Sequence, residues 1–198
     1  MSLDSINTIS ERLDQILPKI THPTFRENRG LGNEVGFHIF DYEPEFEILV
    51  RDHVSFLINR INNDASLNIH IREFDLFEVI IDILSKKGYL EKNFDMEKKR
   101  DSTYVLNAMR KALRLTLEND QVIQYIGERV QERDIVFITG VGKVFPILRS
   151  HVILNNLHHA VGNLPVVLFF PGRYDGQELI LFNEIKDDNY YRAFQLVE

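Results

Sequence analysis

The sequence of 198 residues contains no cysteine. This absence excludes disulfide bonds, thiolate metal sites and cysteine catalysis, and it is compatible with a reducing compartment. No apolar run approaches the roughly 18 residues that would suggest a transmembrane helix. The first residues also lack the basic segment followed by an apolar one that is typical of a signal peptide. We therefore expect a cytoplasmic protein with no contact to the membrane.

The chain also lacks an excess of positive charge, since 30 acidic residues outnumber 23 basic ones and give a net charge of −7. Proteins that hold DNA mainly by neutralising its phosphates have the opposite balance. Two local basic clusters occur, at residues 98–100 and at Arg110, Lys111 and Arg114, and acidic neighbours dilute both. We interpret both clusters as solvated helix surface and expect no direct sequence-specific contact with nucleic acid.

Hydrophobic periodicity predicts strands that alternate with helices. Because repeats and linkers are absent, one domain over residues 1–198 is expected. Continuous apolar strands between helices predict an α/β fold, with a mostly parallel sheet flanked by helices on both faces and a Rossmann-like or NTPase-like topology without a phosphate loop. The predicted strands cover residues 35–42, 67–76, 134–140, 165–170 and 178–182. The predicted helical segments include an amphipathic helix within 1–20, a mostly helical stretch at 84–131 and a helix from Pro146 to about Val161.

The segment "DIVFITGVGKVFPILRSH", residues 134–151, combines a strand, two glycines, a lysine and a helical pattern. A Walker A loop needs four residues between its glycines and a hydroxyl after its lysine. Here one residue separates Gly140 from Gly142, and a valine follows Lys143. A dinucleotide-binding loop would need a third glycine where Phe145 stands. A working phosphate loop is therefore not predicted, although weak anion binding beside Arg149 stays open because a helix start offers free backbone donors.

The loops that follow parallel strands meet at one edge of a sheet, where open α/β proteins bind their ligands. The loop "PGRYDG", residues 171–176, is expected to expose Arg173 and Tyr174 at this edge. Proline–glycine and aspartate–glycine pairs are also ordinary turn chemistry, so a purely structural role for this loop stays open. The full set of candidate partner-binding or anion-binding residues is Gly140, Gly142, Lys143, Arg149, Arg173, Tyr174, Asp175 and Arg192, with Asp41 and Asp75 nearby.

Signatures of catalysis are missing. The chain has no G-x-S-x-G nucleophile elbow. Asp175, Glu184 and Lys186 follow the order of a nuclease motif, but about 30 Å of extended chain would separate the two acids. The histidines at 151 and 158 have no carboxylate beside them in the sequence, so a metal site is not supported. We therefore predict a protein that is not an enzyme and that uses no metal or other cofactor.

Four segments together resemble the BrxB family of bacteriophage-exclusion (BREX) defence systems: "GLGNEVGFHIFDYEPE", "TGVGKVFPILRSH", "LPVVLFFPGRYDG" and "NYYRAF". The resemblance implies a small cytoplasmic component of a multi-gene anti-phage system that also contains an ATPase, a DNA methyltransferase and an alkaline-phosphatase-like protein called PglZ. It implies an accessory or assembly role without catalytic activity, with PglZ as the expected direct partner and other BREX components as further partners.

Two alternatives remain open at this point. The first is a degenerate nucleotide- or nucleic-acid-binding domain that uses the glycine-rich loop after the strand at 134–140. The second is a homo-oligomer, which is also compatible with the sequence. The aromatic and basic chain end around Arg192, with Tyr190 and Tyr191 beside it, has the composition of a binding hot spot.

Overall fold

The computed structural model describes residues 3–26, 36–187 and 193–198, which form one α/β domain. The longest helix in this part of the chain has 16 residues, and none of its helices is long and apolar enough to cross a membrane.

The helices are α1 (Leu3–Asp14), α2 (Ile16–Thr21), α3 (Pro23–Arg26), α4 (Glu47–Asn62), α5 (Leu76–Lys86), α6 (Leu90–Lys99), α7 (Ser102–Leu113), α8 (Gln121–Gly127), α9 (Val141–Val144) and α10 (Ser150–Val161). Short 3₁₀ turns at Pro44–Phe46 and Ala65–Leu67 precede α4 and the second strand. The strands are β1 (Phe37–Tyr42), β2 (His70–Asp75), β3 (Asp134–Thr139), β4 (Val166–Tyr174), β5 (Leu179–Leu181), β6 (Ile185–Asp187) and β7 (Phe194–Gln195).

The sheet is mixed. Its main part has the order β2-β3-β4-β1-β7, and each neighbouring pair in this part is parallel. The hairpin of β5 and β6 adds two antiparallel pairings beyond the end of β4. The predicted α/β class is confirmed. The order differs from the 3-2-1-4-5-6 order of the Rossmann fold, so the Rossmann-like topology is not confirmed, and the NTPase-like alternative stays a prediction.

Helices cover both faces of the sheet because its strands carry apolar side chains on both. Along β1, Phe37 and Ile39 join the core formed with α5, α8 and α10, whereas Phe40 and Tyr42 join the core formed with α1, α2 and α4. The same alternation continues through β3 and β4. Successive side chains of a strand point to opposite faces, so a strand that is covered on both sides needs a continuous apolar run.

The segment after β3 differs from the predicted helix that starts at Pro146. Gly140 leads into the single turn of α9, and the longer helix α10 begins only at Ser150. Phe145, which ends α9, has an extended backbone with ψ of 136°. A following proline disfavours helical geometry in the residue before it, so Pro146 lies between the two helices rather than inside one.

Residues 171–174 also differ from the prediction, because they continue β4 instead of forming a loop. They pair with β5 in an antiparallel arrangement, with Arg173 opposite Ile180 and Tyr174 opposite Leu179. The hairpin supplies hydrogen-bond partners that the sequence pattern around the proline and glycine did not reveal. The exposed turn is therefore shorter than expected and begins at Asp175.

His38 is a buried titratable group inside the domain. Its ring lies on β1, with centroid distances of 4.5 Å to the ring of Phe25 and 6.0 Å to that of Phe194. Neither ring nitrogen has a hydrogen-bond partner among the described residues. Burial, helped by the charge of Lys19, lowers the pKa of His38 from its ordinary value of 6.5 to about 4. The ring is therefore neutral in the folded protein at pH 7.

We predict that His38 makes the domain less stable as the pH falls from about 6.5 to about 4. In this window the unfolded chain binds a proton at this residue and the folded chain does not, so protonation favours unfolding. Between pH 7.5 and pH 5, wild type should lose about 1–2 kcal/mol more free energy of unfolding than His38→Leu in urea titrations. The control is His159→Asn, at an exposed histidine, which should follow wild type. An identical pH dependence of His38→Leu and wild type would contradict this assignment.

Candidate functional site

The parallel pairing brings the carboxyl ends of four strands to one edge of the sheet. Asp75 at the end of β2 lies in register with Thr139 at the end of β3, and Asp41 near the end of β1 lies in register with Phe170 of β4. The loops after these strands therefore leave the sheet on the same side, as the sequence predicts. This edge is the place where open α/β sheets bind ligands.

Within this edge, ligands bind most often where neighbouring strands send their connections to opposite faces. Here β1 continues into α4 on one face, while β2 and β3 continue into helices on the other. Asp41 occupies the resulting position between β1 and β4. Its Oδ2 accepts a hydrogen bond from the backbone N–H of Tyr174 at 3.0 Å, and its Oδ1 accepts one from Nη2 of Arg12 at 2.9 Å.

Arg12 reaches this position from α1 and contacts two other parts of the chain, β1 and the residues that follow β7. Its Nη1 donates to the carbonyl of Asp41 at 2.8 Å, and its Nη2 also donates to the carbonyl of Val197 at 3.1 Å. The guanidinium carbon lies 4.9 Å from the centroid of the Phe40 ring. The crevice that would hold a ligand in a related α/β sheet is therefore filled by an ion pair of the protein itself.

The glycine-rich loop is filled in a similar way. Gly140 has a left-handed backbone with φ of 73°, and a Cβ at this position would collide with Oδ1 of Asp75. Asp75 accepts a hydrogen bond from the N–H of Phe77 at 3.0 Å, which caps α5, and its other oxygen pairs with Nζ of Lys143. The carboxylate of Asp75 thus pairs with Lys143 and occupies the space that a phosphate would need. This arrangement gives no support to a phosphate site at the loop.

Gly142 allows a close approach of a different group. A Cβ here would lie 2.9 Å from Cε1 of Phe182 and 3.2 Å from Cγ of Pro171. The ring of Phe182 therefore rests directly on the backbone of α9. The two glycines make room for neighbouring side chains of the protein, Asp75 in one case and Phe182 in the other.

The three candidates in the hairpin segment have different environments. Tyr174 is only 3% exposed, and its hydroxyl donates to the carbonyl of Ala193 at 2.7 Å, so the expectation that it is exposed for a partner is wrong. Arg173 is exposed. Asp175 accepts hydrogen bonds from the N–H groups of Gln177 and Glu178 at 2.9 and 2.8 Å, and these bonds lower the pKa of its carboxyl. Asp175 thus shapes the turn.

The remaining two candidates lie away from this group. Arg149 is exposed just before α10 and lines a cavity with residues of α7, and neither Gly140 nor Lys143 contributes to that cavity. Arg192 lies outside the residues that the structure describes, as do Tyr190 and Tyr191. In the described ranges, no three histidine, aspartate or glutamate side chains are grouped closely enough to hold a metal ion.

Sequence reasoning missed two exposed aromatic residues at this edge, Phe77 and Phe182, which are 39% and 37% exposed. Phe77 lies off the apolar stripe of α5, so its helical phase could have shown that it faces outward. Phe182 and Asn183 have φ of 55° and 60° in the turn between β5 and β6. Such turns normally use asparagine and glycine, so Asn183 fits the preference, whereas no sequence signal marks Phe182 as a residue with positive φ.

Comparison with known proteins places these features in a family. A model of the family described as BREX protein BrxB matches residues 72–196, which is more than half of the chain. The chain belongs to the BrxB family. A Bacillus cereus (strain H3081.97) protein named BREX protein BrxB is 68% identical over 190 residues, covering 96% of this chain and 98% of that relative. A protein of the same name from Escherichia coli O9:H4 (strain HS) is 34% identical over 191 residues, covering 94% of this chain and 90% of that relative.

No solved structure gives a significant match to this BrxB-family chain. The segment that matches the BrxB family model includes Asp75, Lys143, Arg173 and Phe182, whereas Arg12 and the strand β1 precede it. Both named relatives align over nearly the whole chain. The family model therefore covers these residues at the carboxyl edge of the sheet.

We predict that Asp41→Ala lowers the free energy of unfolding by about 2–4 kcal/mol, because it leaves the charge of Arg12 without its carboxylate and the N–H of Tyr174 without its acceptor. Arg12→Ala should be comparably destabilising. Since each variant already breaks the pair, the double variant should lose clearly less than the sum of the two single losses in urea titrations. Additive losses would show that the two residues act independently.

The matched control is the exposed pair of Lys98 and Asp95, whose side chains are 76% and 67% exposed. Removal of either partner should have no measurable effect on stability, because solvent screens such a pair.

Proposed function

We propose that this chain is a non-catalytic accessory component of a BREX anti-phage defence system and that it binds a PglZ-type partner protein. Membership of the BrxB family supports the place in BREX defence. The choice of PglZ follows from the resemblance of the sequence to this family. Other BREX components are further candidate partners.

The observation that carries the non-catalytic role is the occupancy of the ligand-binding edge. Asp41 is bonded to Arg12 at the position between β1 and β4, and Asp75 is bonded to Lys143 at the glycine-rich loop. Each carboxylate already has a cationic partner and accepts a hydrogen bond from a backbone N–H. A substrate would have to break these pairs before it could use either carboxylate.

The exposed residues around these filled positions form a surface suited to a protein partner. We call Phe77, Lys143, Arg173 and Phe182 the aromatic edge patch. Nζ of Lys143 lies 5.9 Å from the centroid of the Phe77 ring, and Phe182 rests on the adjacent Gly142. Arg173 lies on β4 opposite Ile180 of β5, and Phe182 directly follows β5. Exposed aromatic side chains beside arginine are the composition of interface hot spots.

The backbone at Phe182 supports a binding role for this residue. A left-handed conformation costs a non-glycine residue about 1–2 kcal/mol, and it is rare for a bulky side chain. Glycine at φ of 55° would avoid this cost. Strained residues cluster at functional sites. The backbone strain at Phe182 is therefore consistent with a role in binding a partner rather than in stabilising the isolated chain.

We predict that Phe182→Gly weakens the complex with a PglZ-type partner at least tenfold, about 1.4 kcal/mol, because it removes the exposed ring. The free energy of unfolding of the isolated chain should change by less than about 1 kcal/mol, since relief of backbone strain offsets lost packing on Gly142. Titration calorimetry with the purified partner and urea unfolding measure the two quantities. The control is Asn183→Gly, which replaces the neighbouring residue of the same turn by glycine without removing an aromatic ring and should bind normally. Normal binding of Phe182→Gly would place the interface elsewhere.

We also predict that Arg173→Ala weakens the same complex by more than about 1 kcal/mol and leaves the melting temperature nearly unchanged, because this side chain is exposed. Tyr174→Ala should instead lower the melting temperature, since it removes a buried ring and its hydrogen bond to Ala193. Pull-down and calorimetry with co-expressed BREX components measure the binding. If the chain stays free of PglZ and of all other components at micromolar concentration, the proposed function fails.

A further inference from the structure

A cavity of about 600 Å³ lies between the end of α7 and the segment that joins α9 to α10. Four cationic side chains line it. Arg110 and Lys111 belong to α7, Arg114 directly follows that helix, and Arg149 lies on the opposite wall. Nothing in the linear sequence places Arg149 beside the other three. Their interpretation as a solvated helix surface is therefore incomplete, because the tertiary structure gathers them around one concave space.

Arg110 holds the two walls together. Its Nε donates to the carbonyl of Ile147 at 3.2 Å, and its Nη2 donates to the carbonyl of Pro146. This side chain thus fixes the segment before α10 against α7. It acts as a support for the cavity, whereas the other three cations are available to a ligand.

The side chains of Lys111, Arg114 and Arg149 make no hydrogen bond or ion pair within the described ranges. No carboxylate of the described residues lines the cavity. Asp120, which accepts a hydrogen bond from the N–H of the lining residue Thr116, is buried and also caps α8 through the N–H of Val122. The like charges around the cavity repel one another without a counter-charge, and an anion would relieve this repulsion.

The cavity also has an apolar part. Leu115, Ile147 and Val152 are partly buried against the main core and line the same space. Ligand pockets of about 300–1,000 Å³ typically combine an apolar lining with a few charged groups that set orientation. Arginine forks suit phosphate oxygens, which they bind through two parallel hydrogen bonds.

We propose that this cavity binds a nucleoside phosphate, with its phosphates on Lys111, Arg114 and Arg149 and its base against the apolar lining. A small ligand fits better than a nucleic-acid strand, because the cations surround a concave space and the chain as a whole carries a net charge of −7. The residues of the aromatic edge patch do not line the cavity. The site is therefore separate from the proposed partner surface and from the glycine-rich loop.

Calorimetric titration of the purified full chain at low ionic strength tests the site with four probes: ATP, ADP, inorganic phosphate and a short single-stranded oligonucleotide. The variants Lys111→Gln and Arg149→Gln remove one charge each from exposed side chains. Each should weaken nucleotide binding about tenfold, and the double variant about a hundredfold. The control is Lys99→Gln, which removes an exposed cation outside the cavity and should bind as wild type does.

Three results would overturn the proposal. The first is the absence of binding by both nucleotides up to about 1 mM, the weak end of specific affinity. The second is nucleotide binding that Lys111→Gln and Arg149→Gln leave unchanged. The third concerns the choice of ligand. If inorganic phosphate binds as tightly as ADP, the base makes no contact that contributes to affinity. If ATP does not displace the bound oligonucleotide, the oligonucleotide occupies a different site. PglZ binding by the same variants, measured separately, reports on the partner surface and not on this cavity.

Discussion

The ion pair between Arg12 and Asp41 joins parts of the chain that are far apart in sequence. Arg12 belongs to the first helix, Asp41 to the first strand, and the carbonyl of Val197 that Arg12 also contacts lies 185 positions further along. Asp41 in turn accepts from the backbone of β4 at Tyr174. Removal of either charge would leave the other partly buried without its counter-charge. The contact therefore helps to hold α1 and the residues around Val197 against the sheet.

This constraint also decides where function can reside. An open α/β sheet offers its most polar crevice between strands whose connections diverge, and here that crevice is closed by the pair. The glycine-rich loop is closed in turn by Asp75 and Lys143. Among the described residues, the periphery of this edge with its exposed aromatic rings and the cationic cavity between α7 and α10 are not closed in this way. The proposed partner surface and the proposed ligand site lie at these two places.

The cavity shows how charge that is dispersed in sequence becomes concentrated in space. The chain is acidic overall, and the basic residues around the end of α7 have acidic residues on either side of them in the sequence. The hydrogen bonds of Arg110 to the carbonyls of Pro146 and Ile147 then hold the segment that carries Arg149 beside the same space. The charge pattern of the sequence therefore underestimates the positive electrostatic potential at this cavity.

The sequence by itself determined the α/β class, the positions of the first three strands and the shared edge of their loops, because hydrophobic periodicity is a local property of a chain that is buried on both faces of a sheet. The tertiary structure alone decided which side chains fill that edge. Tyr174 became buried because β4 extends into a hairpin, Phe182 became exposed because a turn places it at positive φ, and α9 ended after one turn. These outcomes depend on contacts between residues that are distant in sequence, and local propensity carries no information about such contacts.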